Sequence, residues 1–303
     1  FSSRPAALCN NSGLPFFLRA LNMSASSIPN VVSIAGVDPS GGAGLLADLK
    51  TFSALGAYGC GVVAALTAQN TQAVTGGPPP SVFVLRMQHV PVVSVVTRAD
   101  GKRGRHATAA LVETVADRLA HFSAPNVVLD PVMVAKSGDH LLAKSAVSML
   151  REALLPRCFV LTPNLPEAGV LLEARAPETL REMYRAAERL RELLPHSNEH
   201  WVLLKGGHLP GDELTDLLYN GDRMIEMHAP RIATKNTHGT GCTLSSAIAA
   251  LLPRAQGQIN PVEAAVRQAR EYLRQAILAS DQLEVGQGHG PVHHFHAWFK
   301  APQ

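Results

Sequence analysis

A short glycine-rich segment offers the clearest candidate chemistry in this sequence. Residues 235–253 read KNTHGTGCTLSSAIAALLP. Apolar residues follow the glycines at Leu244, Ile248 and Leu251, and this spacing predicts one face of an α-helix. Glycines allow close approach of a ligand to the backbone, and the free N–H groups at a helix N-terminus favour an anion. The loop and first turn therefore predict a phosphate site, although a glycine-rich connection with a buried cysteine is the simpler reading of this segment alone. The residues of the loop and first turn are Gly239, Thr240, Gly241 and Cys242.

The elements that would position this loop follow an alternating pattern. Short apolar runs without polar alternation predict strands buried on both faces, as in a parallel sheet. They occur at residues 31–35, 62–66, 127–129, 159–161 and 201–204. Helical patterns separate them, at residues 43–55, 108–122, 141–155, 177–194, 244–252 and 261–280. The alternation predicts an α/β fold with a largely parallel central sheet and helices on both faces. No linker divides residues 31–299, so we expect a single domain there.

Polar residues follow several of the predicted strands. Ligands of open parallel sheets bind beyond the carboxyl ends of the strands. The runs are followed by GVDPSGGAG, DP, TPNLPE and KGGH, so acids, an amide, a lysine and glycines would share one edge of the sheet. Beside the predicted phosphate loop, this edge predicts a site for a phosphate chain, a metal ion and a small polar substrate.

Composition excludes several other classes of protein. The 27 basic and 24 acidic residues give a formal charge of +3, too little for a nucleic-acid-binding face. No apolar run approaches the roughly 20 residues that span a bilayer. The four cysteines are widely spaced, which favours reduced thiols in a cytoplasmic protein. Residues 1–30 predict a disordered leader, with a weak targeting segment as the alternative.

An ordered set of motifs closely resembles the hydroxymethylpyrimidine/phosphomethylpyrimidine kinases, the thiamine-biosynthesis branch of the ribokinase superfamily. The similarity runs from about residue 31 to residue 298. Its motifs are GVDPSGGAGLLADLKTFSALGAYG, ALTAQNT, LDPVMVAKSGDHLL, LTPNLPEA, LLKGGH, TKNTHGTGCTLSSAIAA and GPVHHFHAW. The resemblance implies a ribokinase-like fold, a homodimer, and ATP- and Mg²⁺-dependent phosphorylation of 4-amino-5-hydroxymethyl-2-methylpyrimidine, first at its hydroxymethyl group and then to the diphosphate.

The resemblance also implies which residues bind the pyrimidine. Asp48 and Gln69 would read its amino and ring-nitrogen edge, Gly36 and Ala43 would border the ring, and Val132 would line the apolar side. A neutral ring is recognised by shape and a few directed hydrogen bonds. For Asp48 the alternative is a solvated surface acid.

At the phosphate end, the resemblance assigns Asp130 and Glu167 to Mg²⁺, which typically takes one or two carboxylates together with phosphate oxygens. Asn164 and Glu167 match the superfamily's NxxE pattern near Mg²⁺ and phosphate, and Asn164 also suits a helix cap. Lys205 and Thr240 would bind the ATP phosphates. An ordinary surface position is the alternative for Lys205.

Cys242 stands where related sugar kinases carry an aspartate base. A thiol at a helix N-terminus has a lowered pKa, so Cys242 could take the proton of the substrate hydroxyl. The amides of residues 239–242 would stabilise charge on the transferred phosphoryl group. A small buried packing residue is the alternative. The C-terminal residues His293, His294 and His296 suggest no metal site, because no acid or cysteine completes a ligand set near them.

Residues 77–106 depart from the family pattern. The family has a helix there and then a KIGM-like strand end, where this chain has the tract KRGR at residues 102–105. Residues 90–96 could still form a strand. Compensating frameshifts and true divergence are the two explanations, and Arg105 would be unfavourable beside an apolar ring. The rival functions are a pyridoxine or pyridoxal kinase and a pyrimidine-binding protein without catalysis.

Overall fold

The computed structural model describes residues 28–66, 68–69, 74–76, 94–98, 109–133 and 144–299. The predicted leader lies outside the described residues up to position 27. Most of the atypical segment, including the KRGR tract, also lies outside them.

An eight-stranded sheet forms the centre of the molecule, in the order β10-β9-β8-β7-β6-β5-β1-β2. Strands β2, β1, β5, β6, β7 and β8 are mutually parallel, whereas β9 and β10 are antiparallel to their neighbours. A separate antiparallel pair is formed by β3 and β4. The strands are β1 (Asn30–Val37), β2 (Tyr58–Leu66), β3 (Ala68–Gln69), β4 (Val74–Gly76), β5 (Ser94–Arg98), β6 (Val127–Asp130), β7 (Val160–Leu161), β8 (Trp201–Leu204), β9 (Glu213–Tyr219) and β10 (Met224–Pro230).

Helices cover both faces of this sheet. They are α1 (Gly44–Ala54), α2 (Ala109–His121), α3 (Lys144–Met149), α4 (Leu165–Leu171), α5 (Leu180–Glu192), α6 (Thr240–Ala255) and α7 (Pro261–Leu278). A π-helical turn (Leu150–Leu154) and a 3₁₀ turn (Leu155–Arg157) extend α3.

Alternate residues of the central strands enter two different hydrophobic clusters. In β6, Val127 and Leu129 pack into the cluster with α2 to α5, while Val128 packs into the cluster with α1, α6 and α7. Because successive side chains of a strand point to opposite faces, a strand covered on both sides has to be apolar throughout. The largely parallel, two-faced sheet that the apolar runs predict is confirmed.

The predicted runs correspond to β1, β2, β6, β7 and β8, and the structure adds elements that the patterns did not indicate. Strands β9 and β10 carry charged residues and pair at one edge of the sheet, so they lack the continuous apolar run of a central strand. Helix α4 has only 7 residues, too few for a periodic signal. The possible strand at residues 90–96 overlaps β5 at residues 94–96, while residues 90–93 lie outside the described residues; β5 lies between β1 and β6. Among the described residues, no helix is both long and apolar enough to cross a bilayer.

Candidate active site

The predicted phosphate loop is built by a left-handed glycine at the start of α6. Gly239 is the N-cap residue with φ 77°, and Thr240 begins the helix. A Cβ on Gly239 would lie 1.7 Å from the carbonyl oxygen of Gly42. A side chain at position 239 is therefore excluded both by the backbone conformation and by the neighbouring segment around Gly42. We call residues 238–242 the anion loop.

This neighbouring segment is the loop between β1 and α1, residues 38–43, which we call the first glycine loop. Asp38 organises it: its carboxylate accepts hydrogen bonds from the Ser40 amide at 3.0 Å, the Ser40 hydroxyl at 2.8 Å and the Ala43 amide at 3.0 Å. His238 Nε2 lies 2.6 Å from Asp38 Oδ2. Burial by itself would raise the pKa of Asp38, but the hydrogen bonds from His238 and Ser40 outweigh it and hold the pKa at about 2.

Cys242 lies in the first turn of α6, where the two loops meet. The Gly44 N–H, at the start of α1, donates to Cys242 Sγ at 3.4 Å. Two helix N-termini thus converge on one sulfur atom. An N–H donor and the positive ends of two helix dipoles therefore lie against this sulfur atom. The alternative that Cys242 is a buried packing residue is wrong, because the residue is only partly buried.

A second group of residues lies at the carboxyl ends of β6, β7 and β8. Lys205 Nζ lies 3.1 Å from Asp130 Oδ1, and the exposed fractions of these side chains are 15% and 2%. The Thr162 hydroxyl donates to Asp130 Oδ1 at 3.3 Å, and the Ser245 hydroxyl donates to Asp130 Oδ2 at 3.4 Å. The alternative of an ordinary surface position for Lys205 is wrong.

Glu167 completes this group, which we call the charged cluster (Asp130, Glu167 and Lys205). Glu167 forms a capping box with Asn164 at the start of α4: its Oε2 accepts from the Asn164 amide at 2.8 Å, and its own amide donates to Asn164 Oδ1 at 2.9 Å. The predicted capping role of Asn164 is confirmed. The pKa of Glu167 is raised to about 7: burial is the largest cause, Lys205 partly offsets it, the nearby Asp130 adds to it, and backbone hydrogen bonds from Asn164 and Met133 lower it.

Lys205 responds to the same neighbours. Burial alone would lower its pKa, but Asp130 and Glu167 more than offset this and raise it. The ammonium group therefore stays charged between two carboxylates, so the cluster has a net negative charge when both acids are ionised.

Gly241 connects the anion loop to the charged cluster. A Cβ at this glycine would lie 3.5 Å from Lys205 Nζ and 3.6 Å from Asp130 Oδ2. Ser245, one turn later on α6, reaches Asp130 as well. Helix α6 therefore presents its N-terminal amides, the thiol of Cys242 and contacts to the charged cluster at one place.

Asp48 lies deeper, on α1, with an exposed fraction of 0%. The Ser33 hydroxyl donates to its Oδ2 at 2.5 Å, and the Ser246 hydroxyl donates to its Oδ1 at 2.6 Å. The alternative of a solvated surface acid is wrong. Asp48 joins β1, α1 and α6 through these two hydrogen bonds, while a direct contact with a substrate stays a prediction.

The other predicted binding residues surround the same edge of the sheet. Gly36 is buried near the end of β1, and its carbonyl oxygen would lie 2.2 Å from a Cβ on Gly44. Ala43 is buried beside Asp38. The half-buried Val132 follows Asp130 in a turn closed by its amide. Gln69 ends β3, and its side chain lies outside the described atoms.

Sequence patterns missed several residues of this site. Thr162 and Ser245 donate to Asp130, and His238 contacts Asp38, yet single hydroxyls and one histidine carry no distinctive spacing. The Asp-Pro-Ser sequence at Asp38 did carry a signal, because an aspartate two residues before a serine is typical of a side-chain-closed turn.

The C-terminal histidines serve packing. His294 is buried, and its Nε2 lies 3.1 Å from the Thr243 hydroxyl oxygen. Burial lowers the pKa of His294 to about 3, with further lowering by Lys50 and the neighbouring histidines. The imidazole is therefore neutral at physiological pH.

Comparison with known proteins identifies this arrangement. Residues 38–293 match the model of the phosphomethylpyrimidine kinase family. The chain belongs to this family. The hydroxymethylpyrimidine/phosphomethylpyrimidine kinase of Escherichia coli is 50% identical over 275 residues, which cover 89% of this chain and 98% of that protein. The family resemblance of the motifs is confirmed.

Solved structures give the same fold. The phosphomethylpyrimidine kinase of Clostridium difficile has a TM-score of 0.68 at 32% identity, covering 83% of this chain and 100% of that one. A pyridoxal kinase from Staphylococcus aureus, solved with AMP-PCP and pyridoxal, has a TM-score of 0.76 at 27% identity, covering 89% and 95%. The ribokinase-like fold is confirmed, and the chain is a phosphotransferase of the phosphomethylpyrimidine kinase family.

Proposed function

We propose that this protein uses ATP to phosphorylate the hydroxymethyl group of 4-amino-5-hydroxymethyl-2-methylpyrimidine and then phosphorylates the monophosphate to the diphosphate, in thiamine biosynthesis. The observation that carries the proposal is the convergence of the anion loop and the charged cluster on the start of α6. A nucleophile-activating thiol, a row of backbone donors and a buried lysine thereby lie at one edge of the sheet. Phosphoryl transfer needs little more than positioning and charge neutralisation.

Lys205 and the anion loop would hold the phosphates of ATP. Lys205 keeps its proton because of Asp130 and Glu167, so it supplies a fixed positive charge. The amides of residues 239–242 supply hydrogen-bond donors that need no reorganisation when charge develops on the transferred group. We assign Thr240 to the same phosphates and Asn164 to their vicinity.

The charged cluster fits a divalent cation. Two carboxylates face a single lysine, and the elevated pKa of Glu167, about 7, reflects the burial of a carboxylate that lacks full compensation. Asp130 and Glu167 would hold Mg²⁺ together with phosphate oxygens, in line with the preference of Mg²⁺ for few protein carboxylates. Bound there, Mg²⁺ would neutralise phosphate charge.

Cys242 is our candidate for the general base. Its sulfur would accept the hydroxyl proton while the hydroxyl oxygen bonds to the γ-phosphorus and the bond from that phosphorus to ADP breaks. The Gly44 N–H and the two helix N-termini favour the thiolate that this step requires. Asp48 and Gln69 would bind the polar edge of the pyrimidine, with Gly36, Ala43 and Val132 around the ring.

A steady-state assay of ADP release tests the function. We expect turnover with the pyrimidine alcohol and Mg²⁺-ATP, and at least about 10²-fold slower turnover for Lys205→Met, in which the phosphate-binding charge is lost. A control variant, Lys144→Met, changes a lysine at the exposed start of α3 and should keep wild-type rates. Equal rates for wild type and Lys205→Met would contradict the assignment.

Pyridoxal kinase activity is the second candidate, favoured by the TM-score of 0.76 to the S. aureus enzyme. Sequence identity favours the pyrimidine, because it is 50% to the E. coli pyrimidine kinase and 27% to the pyridoxal kinase. Measuring kcat/KM for both alcohols in one assay ranks them, and we expect the larger value for the pyrimidine.

We further propose a homodimer located in the cytoplasm, on the family resemblance. Light scattering coupled to size-exclusion chromatography measures the mass directly. A mass near twice the 32.2 kDa of one chain supports the dimer, and a single-chain mass contradicts it.

A further inference from the structure

The first glycine loop and the anion loop are far apart in the sequence and meet through backbone contacts. Gly239 packs against the carbonyl of Gly42, at a distance that leaves no room for a Cβ. The Gly44 N–H reaches Cys242 Sγ. Each of these contacts is weak by itself, and the glycines have no side chains that could fix the register of one loop against the other.

One polar side-chain pair crosses this contact. Asp38 Oδ2 and His238 Nε2 are 2.6 Å apart and separated by 200 positions in the sequence. The exposed fractions of the His238 and Asp38 side chains are 17% and 4%, so the pair is shielded from solvent. Shielded, charge-assisted hydrogen bonds are stronger and more directional than exposed ion pairs.

Each partner is itself fixed within its own loop. Asp38 holds the Ser40 hydroxyl and the amides of Ser40 and Ala43. His238 is anchored by its amide, which donates to the Gly290 carbonyl at 3.1 Å. The imidazole also covers Gly42, since a Cβ there would lie 2.5 Å from His238 Cδ2. A displacement of one partner would therefore move a whole loop.

The groups around the pair keep Asp38 ionised. Lys50 Nζ donates to the Gly41 carbonyl at 2.8 Å; burial lowers the pKa of Lys50, and the charge of Asp38 partly offsets this. His238 and Ser40 together favour the carboxylate form of Asp38, so the acid partner is ionised across the physiological pH range.

We propose that Asp38 and His238 are positioning residues: their contact sets the register of the first glycine loop against the anion loop and thereby places Cys242 and the amides of residues 239–242 for phosphoryl transfer. The inference rests on the proposed function for its catalytic consequence, and its structural consequence can be measured without catalysis. Neither residue needs to touch the substrate. Misplacing catalytic groups by about 1 Å commonly costs up to about 10²-fold in rate.

Kinetics of matched variants test the catalytic part. We expect Asp38→Asn and His238→Leu to lower kcat by about 10- to 100-fold and to change the KM for ATP by no more than about 2-fold. His238→Gln retains an N–H donor at similar reach and should recover most of kcat. The double variant Asp38→Asn/His238→Leu should be no slower than the slower single variant, since both remove one contact.

Hydrogen exchange tests the structural part. In Asp38→Asn and His238→Leu, the amides of residues 36–48 and 236–246 should exchange about tenfold faster, while those of α7 stay unchanged. Arg191→Lys is the control. Arg191 is buried near the amino end of β8, where it donates to the Asn220 and Pro195 carbonyls, so its variant should lose stability without changing kcat or exchange in the two loops.

Unchanged exchange in both loops, unchanged kcat, or multiplicative losses in the double variant would each overturn the proposal. A wild-type protein without kinase activity would instead contradict the proposed function, and the exchange experiment would still decide whether the pair holds the loops together.

Discussion

The anion loop and the charged cluster lie side by side but are built on different physical principles. The anion loop depends on the absence of side chains: Gly239 has a left-handed backbone and no space for a Cβ. The charged cluster depends on charges that are buried together: Asp130, Glu167 and Lys205 hold one another's protonation states. The first arrangement is a matter of shape and the second of electrostatics.

This difference determines how each region should respond to change. A shape-based site should fail when volume is added. A charge-based site should tolerate small changes in volume but respond to pH and to neutral isosteres. The following predictions separate the two kinds of response.

The largest effect is expected for Gly239→Ala. The added Cβ would meet the Gly42 carbonyl, so the loop has to shift away from the first glycine loop. We expect kcat to fall by about 10³-fold, because several donors and Cys242 move together. Gly257→Ala is the matched control: it follows α6 with φ 90° and has nothing within 4 Å. It should cost about 1 kcal/mol of stability and leave kcat unchanged. Equal losses for both variants would show that backbone strain, and not the contact, is responsible.

A smaller effect is expected for Cys242→Ser, which preserves the shape of the loop but replaces the thiol by a hydroxyl. We expect kcat to fall by about 10²-fold with little change in either KM, because general-base catalysis is lost while binding remains. Cys60→Ser, a change of a partly buried thiol on β2, provides the control. A wild-type kcat in Cys242→Ser would remove Cys242 from the chemistry.

The charged cluster should show a pH response in metal binding. The proposed Mg²⁺ site uses the carboxylate of Glu167, whose pKa is about 7. Protons therefore compete with the metal below pH 7, and the affinity for Mg²⁺ should rise about tenfold from pH 6 to pH 8. In Glu167→Gln the affinity should be weaker and nearly independent of pH. Calorimetric titration of the nucleotide-free protein measures both, and a flat wild-type profile would contradict the assignment.

The smallest effect concerns stability. The pKa of Asp38 is lowered from 3.8 to about 2 in the folded protein. A depressed carboxyl pKa stabilises the fold above the unfolded value, and this contribution disappears as the pH falls from 3.8 towards 2. Allowing for partial solvent screening, Asp38→Asn should cost about 1–2 kcal/mol at pH 6. The difference between wild type and variant should shrink from pH 5 to pH 3 in urea unfolding experiments. A difference that grows towards low pH would have the wrong sign.

The comparison also explains what the sequence could predict. Gly239, Gly241, Asp130, Glu167 and Lys205 stand in short motifs that follow buried strands or begin a helix, so they could be selected from the sequence. The apolar runs predicted the parallel strands for the same reason, because burial on both faces leaves few choices of residue.

Other features depend on contacts between distant segments. Nothing near His238 in the sequence indicates Asp38, and Ser245 and Thr162 are ordinary hydroxyl residues until the fold brings them to Asp130. Strands β9 and β10 were missed because an edge pair that carries charged residues has no continuous apolar run. Helix α4 has a capping box at its start, but its 7 residues are too few to show a periodic apolar pattern.

Mass spectrometry of reaction products tests the central claim most directly. The protein would be incubated with Mg²⁺, ATP and 4-amino-5-hydroxymethyl-2-methylpyrimidine, with Gly239→Ala and Gly257→Ala in parallel. The account predicts the monophosphate and then the diphosphate from the wild type and from Gly257→Ala, and almost no product from Gly239→Ala. A folded wild-type protein that yields neither phosphate would contradict the account.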